Sequence, residues 1–324
     1  MARREGEVIC VTGGSGFIGS WIVHLLLHRG YTVRATVKNL GDERETKHLE
    51  AIEGADSRLR LFQIDLLDYD SIAAAVSGAA GVFHLASPCV IDQVQDPQRE
   101  LLDPAIKGTI NVLTAAKELG VRRVVITSSI SAMIASSNNL ADVAEDCWID
   151  EDYCRQNGLW YPLSKVLAEK AAWKFAEENG LDIVAVHPGM VVGPIIPPAL
   201  NSSMKLMLRV LQGDNDFSEG FFLALVHVKD VALAHLLLYE NTSATGRHLC
   251  VESLSCYADF VKTMEKLYPE YKLPRPSIDT QHGSLKSDAA AALKKLIDLG
   301  MEFIPLEQIV KDSIESLRSK GYIS

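Results

Sequence analysis

The chain has 324 residues, of which 48% are hydrophobic and 23% are charged, and its formal net charge is −10 at pH 7. This length and composition exclude a mainly disordered protein, because such a chain buries roughly three quarters of its unfolded surface on folding. The acidic balance argues against nucleic acid and anionic membranes as partners. The opening MARREGEVICVTGG lacks the apolar core of a secretion signal, and no stretch approaches the ~20 apolar residues of a membrane span. We expect a soluble cytoplasmic protein that is a monomer or a weak homodimer.

The cysteines follow no spacing typical of a metal site. The sequence has 6 of them, and they are widely separated. Reduced and mostly buried thiols are the ordinary interpretation of such a pattern in a cytosolic protein. We predict that the protein holds no metal, and whether Cys147 and Cys154 pair stays open.

Apolar β-branched runs alternate with helical periodicity from the start of the chain. The predicted strands are residues 8–12, 32–37, 59–64, 82–85, 124–127 and 183–187, and the first helix is predicted at residues 17–29. Strands that read as continuous apolar runs and are joined by crossover helices indicate a parallel sheet covered on both faces. The fold class is therefore α/β, a doubly wound Rossmann sheet with a smaller C-terminal substrate domain.

The second half of the chain is less regular. A helix is predicted from about Tyr161 to Asn179, although Pro162 favours a start one residue later. After Pro188 the rhythm breaks; a helix at 204–212 follows, and a strand at 223–228 with a helix at 231–239 is predicted to return to the main sheet. We assign residues 1–187 and 223–250 to the cofactor domain and residues 188–222 and 251–324 to the substrate domain.

A glycine loop, TGGSGFIG, lies between the first strand and the first helix. That context is typical of a dinucleotide site: Gly13 forms the tight turn, Gly16 lets a pyrophosphate approach the backbone, and Gly19 lets helix and strand pack closely. The free N–H groups at the start of the helix then bind the anion. A plain structural turn is the alternative interpretation.

The residues after the second strand favour NADP(H) over NAD(H). An NAD site usually presents an acid about 20 residues after the loop, whereas VRATVKN here carries Arg34 and Lys38, cations that suit a 2′-phosphate. Arg44 is a weaker candidate of the same kind. Asp65 ends the third strand and is predicted to meet the adenine edge, unless it is only a helix N-cap.

Tyr161 and Lys165 share one face of the predicted helix because they are four residues apart. Ser129, in ITSSIS, follows the fifth strand at the sheet edge where doubly wound folds bind ligands. A serine hydroxyl, a phenol and an ammonium beside a nicotinamide make a carbonyl reduction site, with Tyr161 as the proton donor. We expect Lys165 to lower the pKa of Tyr161 toward neutrality. An ordinary surface pair is the alternative.

These residues resemble the extended short-chain dehydrogenase/reductases. Within that group, six segments are similar to plant cinnamoyl-CoA reductases and dihydroflavonol reductases. They are GFIGSWIVHLLLHRGYTVRATVK, GVFHLASP, NVLTAAKELGVRRVVITSS, HPGMVVGP, HVKDVALAH and GRHLCVES. The resemblance implies that Ala86, Ser87, Pro188 and Gly189 line the nicotinamide and that the substrate is an aromatic carbonyl or an acyl-CoA. The other candidate cofactor contacts are Phe17, Ile18, Leu66, Thr127 and Val191.

The sequence departs from the cinnamoyl-CoA reductase signature Asn-Trp-Tyr-Cys-Tyr-Gly-Lys, because Leu159 replaces the Asn and residues 162–164 read Pro-Leu-Ser. The choice between an acyl-CoA and an aldehyde or ketone therefore stays open. Candidate contacts to coenzyme A are Lys205, Arg209 and Lys229, and the stripe from Met204 to Leu211 either flanks an aromatic substrate or packs in the core. A sugar-nucleotide epimerase and a dinucleotide sensor without turnover are the competing functions.

Overall fold

A seven-stranded parallel sheet organises the protein. The computed structural model describes residues 6–89, 94–133, 146–213, 224–254, 257–271, 273 and 287–324. The strands in these ranges are β1 (Val8–Thr12), β2 (Thr32–Val37), β3 (Leu59–Gln63), β4 (Gly81–His84), β5 (Arg123–Thr127), β6 (Ile183–Pro188), β7 (Met190–Val192), β8 (Leu225–His227) and β9 (Gly246–Cys250). The sheet order is β3-β2-β1-β4-β5-β6-β9, and β7 pairs with β8 in a separate ribbon.

Helices cover both faces of the sheet. They are α1 (Phe17–His28), α2 (Glu43–Glu50), α3 (Ala55–Arg58), α4 (Tyr69–Val76), α5 (Asp103–Glu118), α6 (Glu151–Gln156), α7 (Trp160–Asn179), α8 (Ser202–Leu211), α9 (Val228–Glu240), α10 (Tyr257–Leu267), α11 (Ser287–Asp298) and α12 (Leu306–Ser319). One apolar core joins the sheet to α1 and α9, and the other joins it to α4, α5 and α7. This double coverage explains the apolar strands, because each strand is buried from above and below.

The direction in which strands are added to the sheet reverses at β1, which lies between β2 and β4. The chain first builds outward through β2 and β3, then crosses back to place β4 on the opposite side of β1. Ligands of doubly wound sheets bind at the carboxyl ends of the strands beside such a switch point. The first six strands lie within one residue of their predicted bounds, so the predicted fold class is confirmed.

The prediction that residues 223–228 return to the main sheet is wrong for the strand. β8 pairs only with β7, with Met190 opposite Leu225 and Val192 opposite His227. The edge of the main sheet is formed instead by β9, which pairs with β6. This strand was missed because Arg247 and His248 interrupt its apolar run, although both side chains are buried. The predicted helix at 231–239 does exist, within α9.

The prediction that Pro162 delays the catalytic helix is also wrong, because α7 begins earlier, at Trp160. Pro162 is its third residue, and N–H groups in the first turn have no partner within a helix. Leu163 N–H donates to Leu159 O at 3.1 Å and makes the first bond after the proline. The missing N–H of Pro162 therefore costs the helix nothing.

The last part of the chain attaches to the cofactor-binding half through buried polar contacts. Ile195 N–H donates to Ser316 Oγ at 2.9 Å, and Ile304 N–H donates to Asp230 Oδ2 at 2.9 Å. Burial raises the pKa of Asp230 to about 6, against the lowering effect of the Ile304 N–H. These contacts connect α12 and the segment before it to α9 and to the loop after β7. The predicted domain boundaries stay a prediction.

Candidate active site

The glycine loop brings β1, α1 and β4 closer together than any side chain would allow. Gly13 has φ +71°, and a Cβ there would lie 3.1 Å from Ala86 N. A Cβ on Gly19 would lie 2.1 Å from Gly13 O. The loop is tied to β2, because Gly13 N–H donates to Thr36 Oγ1 at 3.0 Å. Only glycine fits at position 19, so the amino end of α1 lies directly against the loop.

The amino end of α1 is built for an anion. Its N-cap, Gly16, offers no side-chain cap, and the first turn contains no acidic residue. Phe17 and Ile18 are the first two residues of the helix, where backbone N–H groups lack partners within a helix and carry its positive end. The residues present therefore fit the pyrophosphate of a dinucleotide, and they would bind it without a lysine or arginine.

At the predicted adenosine end, the structure separates the two cations that the sequence singled out. Lys38 follows β2 directly and is exposed, and its ammonium has no partner among the described residues. Arg34 lies three residues before the end of β2, roughly 10 Å away along the strand. Its guanidinium donates to Ala74 O at 3.1 Å and stacks 5.1 Å from the Phe62 ring. The structure thus brings Lys38, and not Arg34, to the carboxyl edge.

Arg44 and Asp65 also occupy defined positions near this edge. Arg44 is exposed and paired with Asp42 at 2.7 Å, at the start of α2. Asp65 Oδ1 accepts a hydrogen bond from Leu67 N–H at 2.9 Å in the turn between β3 and α4. The alternative interpretation of Asp65 as a helix N-cap is wrong, because Asp68 caps α4. Asp65 is exposed and free to meet a ligand.

Leu66 forms the floor beside Asp65 by packing against α5. A Cβ on Gly108 would lie 2.8 Å from Leu66 Cβ, and Asn111 Nδ2 donates to Leu66 O at 2.9 Å. The missing side chain of Gly108 lets the turn after β3 rest on α5. Leu66 is half-buried, while the neighbouring Leu67 is 52% exposed.

Below the sheet edge, buried polar side chains shape the pocket between β1, β4 and α5. Thr12 Oγ1 accepts from Ala86 N–H at 3.1 Å and contacts His84 Nδ1 at 2.8 Å. Burial, with a smaller effect of Lys165, lowers the pKa of His84 to about 3, so its ring is neutral. Ser87 lines the same pocket as Lys165. Ala86 lines this pocket too, and the contact of both residues with a nicotinamide stays a prediction.

Ser129, Tyr161 and Lys165 converge at the end of β5. Ser129 and Cys89 both lie beside the Tyr161 hydroxyl and affect its pKa. The ammonium of Lys165 lies 5.8 Å from the centre of the Tyr161 ring, and this lysine is only 9% exposed. Ser129 also caps the short helical turn 130–132, because its Oγ accepts from Ser131 N–H at 3.2 Å. The three predicted catalytic side chains thus meet in one place.

The prediction that Lys165 lowers the pKa of Tyr161 toward neutrality is wrong. Burial raises the pKa of Tyr161, and the Cys89 thiol adds to this rise, while the hydrogen bond with Ser129 opposes it. Burial lowers the pKa of Lys165, against the raising effects of Cys89 and Glu169. Desolvation, which disfavours both charged forms, dominates here over the attraction that the sequence suggested. Tyr161 therefore keeps its proton at neutral pH.

The remaining predicted contacts lie around the ends of β5 and β6. Pro188 ends β6, and Gly189 N–H donates to Cys250 O at 3.2 Å. A Cβ on Gly189 would lie 1.9 Å from Ala224 O, so this approach requires glycine. Val191 is buried in β7, opposite Val226. Thr127 ends β5 and shares a 2.6 Å hydrogen bond with His235 Nε2, which directs its hydroxyl toward α9.

Two residues of this site were missed by sequence reasoning. Cys89 was grouped with the unremarkable cysteines, yet it contacts the Tyr161 hydroxyl. Glu169 lines the same pocket as Lys165 and is one helical turn further along α7. The signal for Glu169 was present, since an acid four residues after a catalytic lysine lies on the same helix face.

Most of the proposed substrate contacts have other roles. Met204 and Met207 are buried in the main core, so the stripe of α8 packs rather than flanking a ligand. The Lys229 ammonium stacks 5.1 Å from the Trp21 ring, on the surface between α9 and α1. Lys205 and Arg209 lie on the exposed side of α8.

Cys147 and Cys154 are not joined in a disulfide. Of the helices within the described ranges, none combines the length and apolar character that crossing a bilayer requires. Within the same ranges, no group of three or more His, Cys, Asp or Glu side chains is arranged to hold a metal ion.

Comparison with known proteins places this geometry in a family. Residues 9–251 match the NAD dependent epimerase/dehydratase family. The chain belongs to this family. A cinnamoyl-CoA reductase from Medicago truncatula is 45% identical over 321 residues, covering 98% of this chain and 97% of the relative. The resemblance to the extended short-chain dehydrogenase/reductases of the cinnamoyl-CoA reductase type is thereby confirmed.

Solved structures agree along the whole chain. Vestitone reductase from alfalfa has a TM-score of 0.81 at 32% identity, covering 98% of this chain and 99% of that chain. A yeast methylglyoxal/isovaleraldehyde reductase, solved with NADPH, has a TM-score of 0.84 at 27% identity, covering 98% and 100%. These matches confirm the prediction of an NADP-dependent oxidoreductase.

The first testable prediction concerns Lys38. We expect Lys38→Ala to weaken NADPH binding by about 10- to 100-fold, the value of a charge-assisted hydrogen bond, while NADH binding stays unchanged. Arg34→Ala is the matched control and leaves the ratio of the two affinities as it is. Titration of each coenzyme by nicotinamide fluorescence measures this; an equal loss for both coenzymes in Lys38→Ala would contradict the assignment.

The second prediction concerns the glycine loop. Gly19→Ala is expected to weaken NADPH binding at least ~10-fold, because the new Cβ would force α1 away from the loop. Gly120→Ala is the control: Gly120 has φ +71° and open space around it, so the change strains the backbone far from the loop. It should lower the melting temperature and leave NADPH affinity intact. Wild-type affinity in Gly19→Ala would show that the loop does not bind the pyrophosphate.

Proposed function

We propose that this protein is an NADPH-dependent reductase of phenylpropanoid-type carbonyls, with Tyr161 as the proton donor. The observation that carries the proposal is the convergence of Ser129, Tyr161 and Lys165 beside a pocket that also contains the ends of β4 and β5. The family relationship supports a small-molecule carbonyl as the substrate. The monomeric or weakly dimeric state and the cytoplasmic location expected from the sequence belong to this proposal.

When bound, the nicotinamide of NADPH would supply the hydride. This chain supplies the acid and the orientation. Ser129 Oγ lies beside the Tyr161 hydroxyl, so a carbonyl oxygen bound against both groups would receive a hydrogen bond from each. As negative charge develops on that oxygen, the Tyr161 proton moves to it.

The protonation state of Tyr161 suits reduction. Because burial raises the pKa of the phenol, the group holds its proton throughout the neutral range and serves as an acid. Oxidation of an alcohol would need the phenolate at the start, which burial disfavours. The direction favoured by the site is therefore carbonyl to alcohol.

Lys165 would hold the ribose of the nicotinamide and balance the transferred charge. This lysine lines the pocket and is 9% exposed, and no hydrogen bond joins its Nζ to another described residue. The ammonium has three donors. The hydroxyl groups of a ribose in the pocket would give these donors acceptors, and this supports the fit of the coenzyme.

Two classes of substrate are candidates: an acyl-CoA thioester, and an aldehyde or ketone. Overall similarity to a cinnamoyl-CoA reductase favours a hydroxycinnamoyl-CoA thioester. The sequence Leu-Trp-Tyr-Pro-Leu-Ser-Lys at 159–165 favours an aldehyde or a ketone such as a dihydroflavonol, because it departs from the acyl-CoA signature. The similarity in fold to vestitone reductase supports the ketone.

An epimerase and a sensor fit less well. An epimerase returns the hydride to its substrate and tends to retain NAD, whereas the unpaired Lys38 at the end of β2 suits the 2′-phosphate of NADPH. A sensor has no use for a phenol placed beside a serine hydroxyl and a buried lysine.

The third prediction tests the proton donor. Tyr161→Phe removes the acid and keeps the ring, so kcat/KM should fall about 10²- to 10⁴-fold while NADPH affinity stays near wild type. Tyr153→Phe, in the neighbouring helix α6, is the control and should retain full turnover. The assay follows NADPH absorbance. Near-normal turnover by Tyr161→Phe would remove this residue from the mechanism.

The fourth prediction compares substrates. With NADPH, the protein should reduce at least one of feruloyl-CoA, coniferaldehyde and dihydroquercetin, and the signature change at 159–164 predicts that the aldehyde or the ketone is reduced with the higher kcat/KM. A preference for feruloyl-CoA would assign the thioester instead. Tight NADPH binding without consumption of any carbonyl would favour the sensor.

A further inference from the structure

Directly behind the catalytic lysine lies a buried carboxylate that the mechanism has not used. Glu169 is 2% exposed and lies on α7 one turn after Lys165. At this spacing two helical side chains are neighbours, with Cβ atoms about 5–6 Å apart. Both residues line the same pocket. The Lys165 charge therefore has a fixed negative charge on its inner side.

Glu169 is held by four donors from three other parts of the fold and its own helix. Its Oε2 accepts from Ser128 Oγ at 2.5 Å and from His187 Nε2 at 2.8 Å. Its Oε1 accepts from Arg247 Nε at 2.8 Å and from Trp173 Nε1 at 3.1 Å. Burial alone would raise the pKa of Glu169, but His187 and Arg247 together hold it well below its usual range. Glu169 is thus ionised at every working pH.

Two of these donors are adjacent in sequence to residues of the active site. Ser128 precedes Ser129, and His187 precedes Pro188 at the end of β6. Burial lowers the pKa of His187, so its ring is neutral and donates from Nε2. The carboxylate therefore connects the ends of β5 and β6 to the helix that carries Tyr161 and Lys165.

We propose that Glu169 is a positioning residue of the reductase: its buried carboxylate keeps Lys165 charged and fixes the strand ends that carry Ser129 and Pro188. Arg247 and Glu169 form an ion pair, and the Arg247 guanidinium also stacks 3.9 Å from the Trp148 ring and donates to Cys147 O. This pair neutralises the arginine that interrupts β9. The charge of the Glu169 carboxylate also acts on Lys165, where it opposes the lowering of the pKa by burial.

The alternative is a purely structural ion pair. If the role is purely structural, disturbing the Glu169–Arg247 pair lowers stability and leaves the pKa of Lys165 unchanged. The proposed role predicts a change in the pH at which the site loses the Lys165 proton. Because burial already lowers the pKa of Lys165 and Glu169 opposes that effect, removing the carboxylate charge moves the loss of this proton to lower pH.

The other groups that face Lys165 must be considered in the same experiment. They are Tyr161, Cys89 and His84. Burial keeps His84 neutral, and burial places the Tyr161 titration above its ordinary range. Cys89 affects the pKa of both Tyr161 and Lys165. The Cys89→Ala variant is therefore used as the background in which all profiles are recorded.

The fifth prediction compares Glu169→Gln with Trp173→Phe in that background. The pH profile is measured for kcat/KM and for NADPH affinity. In Glu169→Gln the basic limb of each profile should move to lower pH by about one unit or more. This is the size expected for removing a charge several ångströms away at an effective dielectric of ~20. Trp173→Phe removes one hydrogen bond to Glu169 and keeps its charge. It should lower the melting temperature without moving the limb.

Glu169→Asp covers the case in which Glu169→Gln does not fold. The shorter carboxylate lies further from Lys165, so the limb should move in the same direction by a smaller amount. An unshifted limb in a folded Glu169→Gln, or in Glu169→Asp if the amide variant is not folded, would overturn the proposal. A limb that moves equally in Trp173→Phe would show that the network acts only through structure.

This inference rests on the proposed function, and the two fail separately. If no carbonyl is reduced by the wild type, the reductase proposal fails, while the pH dependence of NADPH affinity still reports on Lys165 and Glu169. If carbonyls are reduced and neither profile moves in Glu169→Gln, the reductase proposal stands and the positioning role of Glu169 is lost.

Discussion

Lys165 is a charged side chain held in a nearly closed site, with only 9% of its surface exposed. Burying a charge costs on the order of several kcal/mol unless nearby charges and hydrogen bonds compensate it, so the fold must hold this side chain in place. It does so by placing the lysine in the second turn of α7, with the Tyr161 ring on one side and the Glu169 carboxylate one turn further along the helix. In the proposed complex, the ribose hydroxyl groups of the coenzyme would add further partners for this ammonium.

The rest of the architecture places the two ends of the proposed coenzyme site on one sheet. The glycine loop after β1, which we propose holds the pyrophosphate, lies at one end. The start of α7 and the end of β5 lie at the other end, across the switch point between β1 and β4. The missing side chains of Gly13 and Gly19 set the distance between loop and helix. The buried hydrogen bonds of Thr12 and His84 then hold β4 against β1 beneath the cofactor path. Binding and chemistry thus depend on one parallel sheet.

Much of this arrangement could be predicted from the sequence, because local rules decide it. The strands were identifiable as apolar runs, the loop by its glycines, and the pair of Tyr161 and Lys165 by helical spacing. What could not be predicted depends on partners distant in the chain. β9 carries Arg247 inside a buried strand, and its ion pair with Glu169, 78 residues earlier, helps to explain why this is stable.

Dependence on the folded surroundings also explains where the predictions for the cations of β2 and for Tyr161 differ from the structure. Arg34 and Lys38 looked equivalent in VRATVKN, and only the ends of β2 distinguish them. The pKa of Tyr161 was expected to fall because a lysine lies nearby, but burial has the larger effect in the folded chain. Electrostatics in a closed site depend on how much water is excluded, and sequence spacing carries no information on that.

The most direct test of the account is the destination of the hydride. NADPH carrying deuterium in the transferable position at C4 is incubated with the protein and the preferred aldehyde or ketone, and the organic product is analysed by mass spectrometry. The account predicts an alcohol with one deuterium on the former carbonyl carbon and one NADP⁺ formed for each alcohol. A product without deuterium, or an isomerised substrate with no net loss of NADPH, would contradict it.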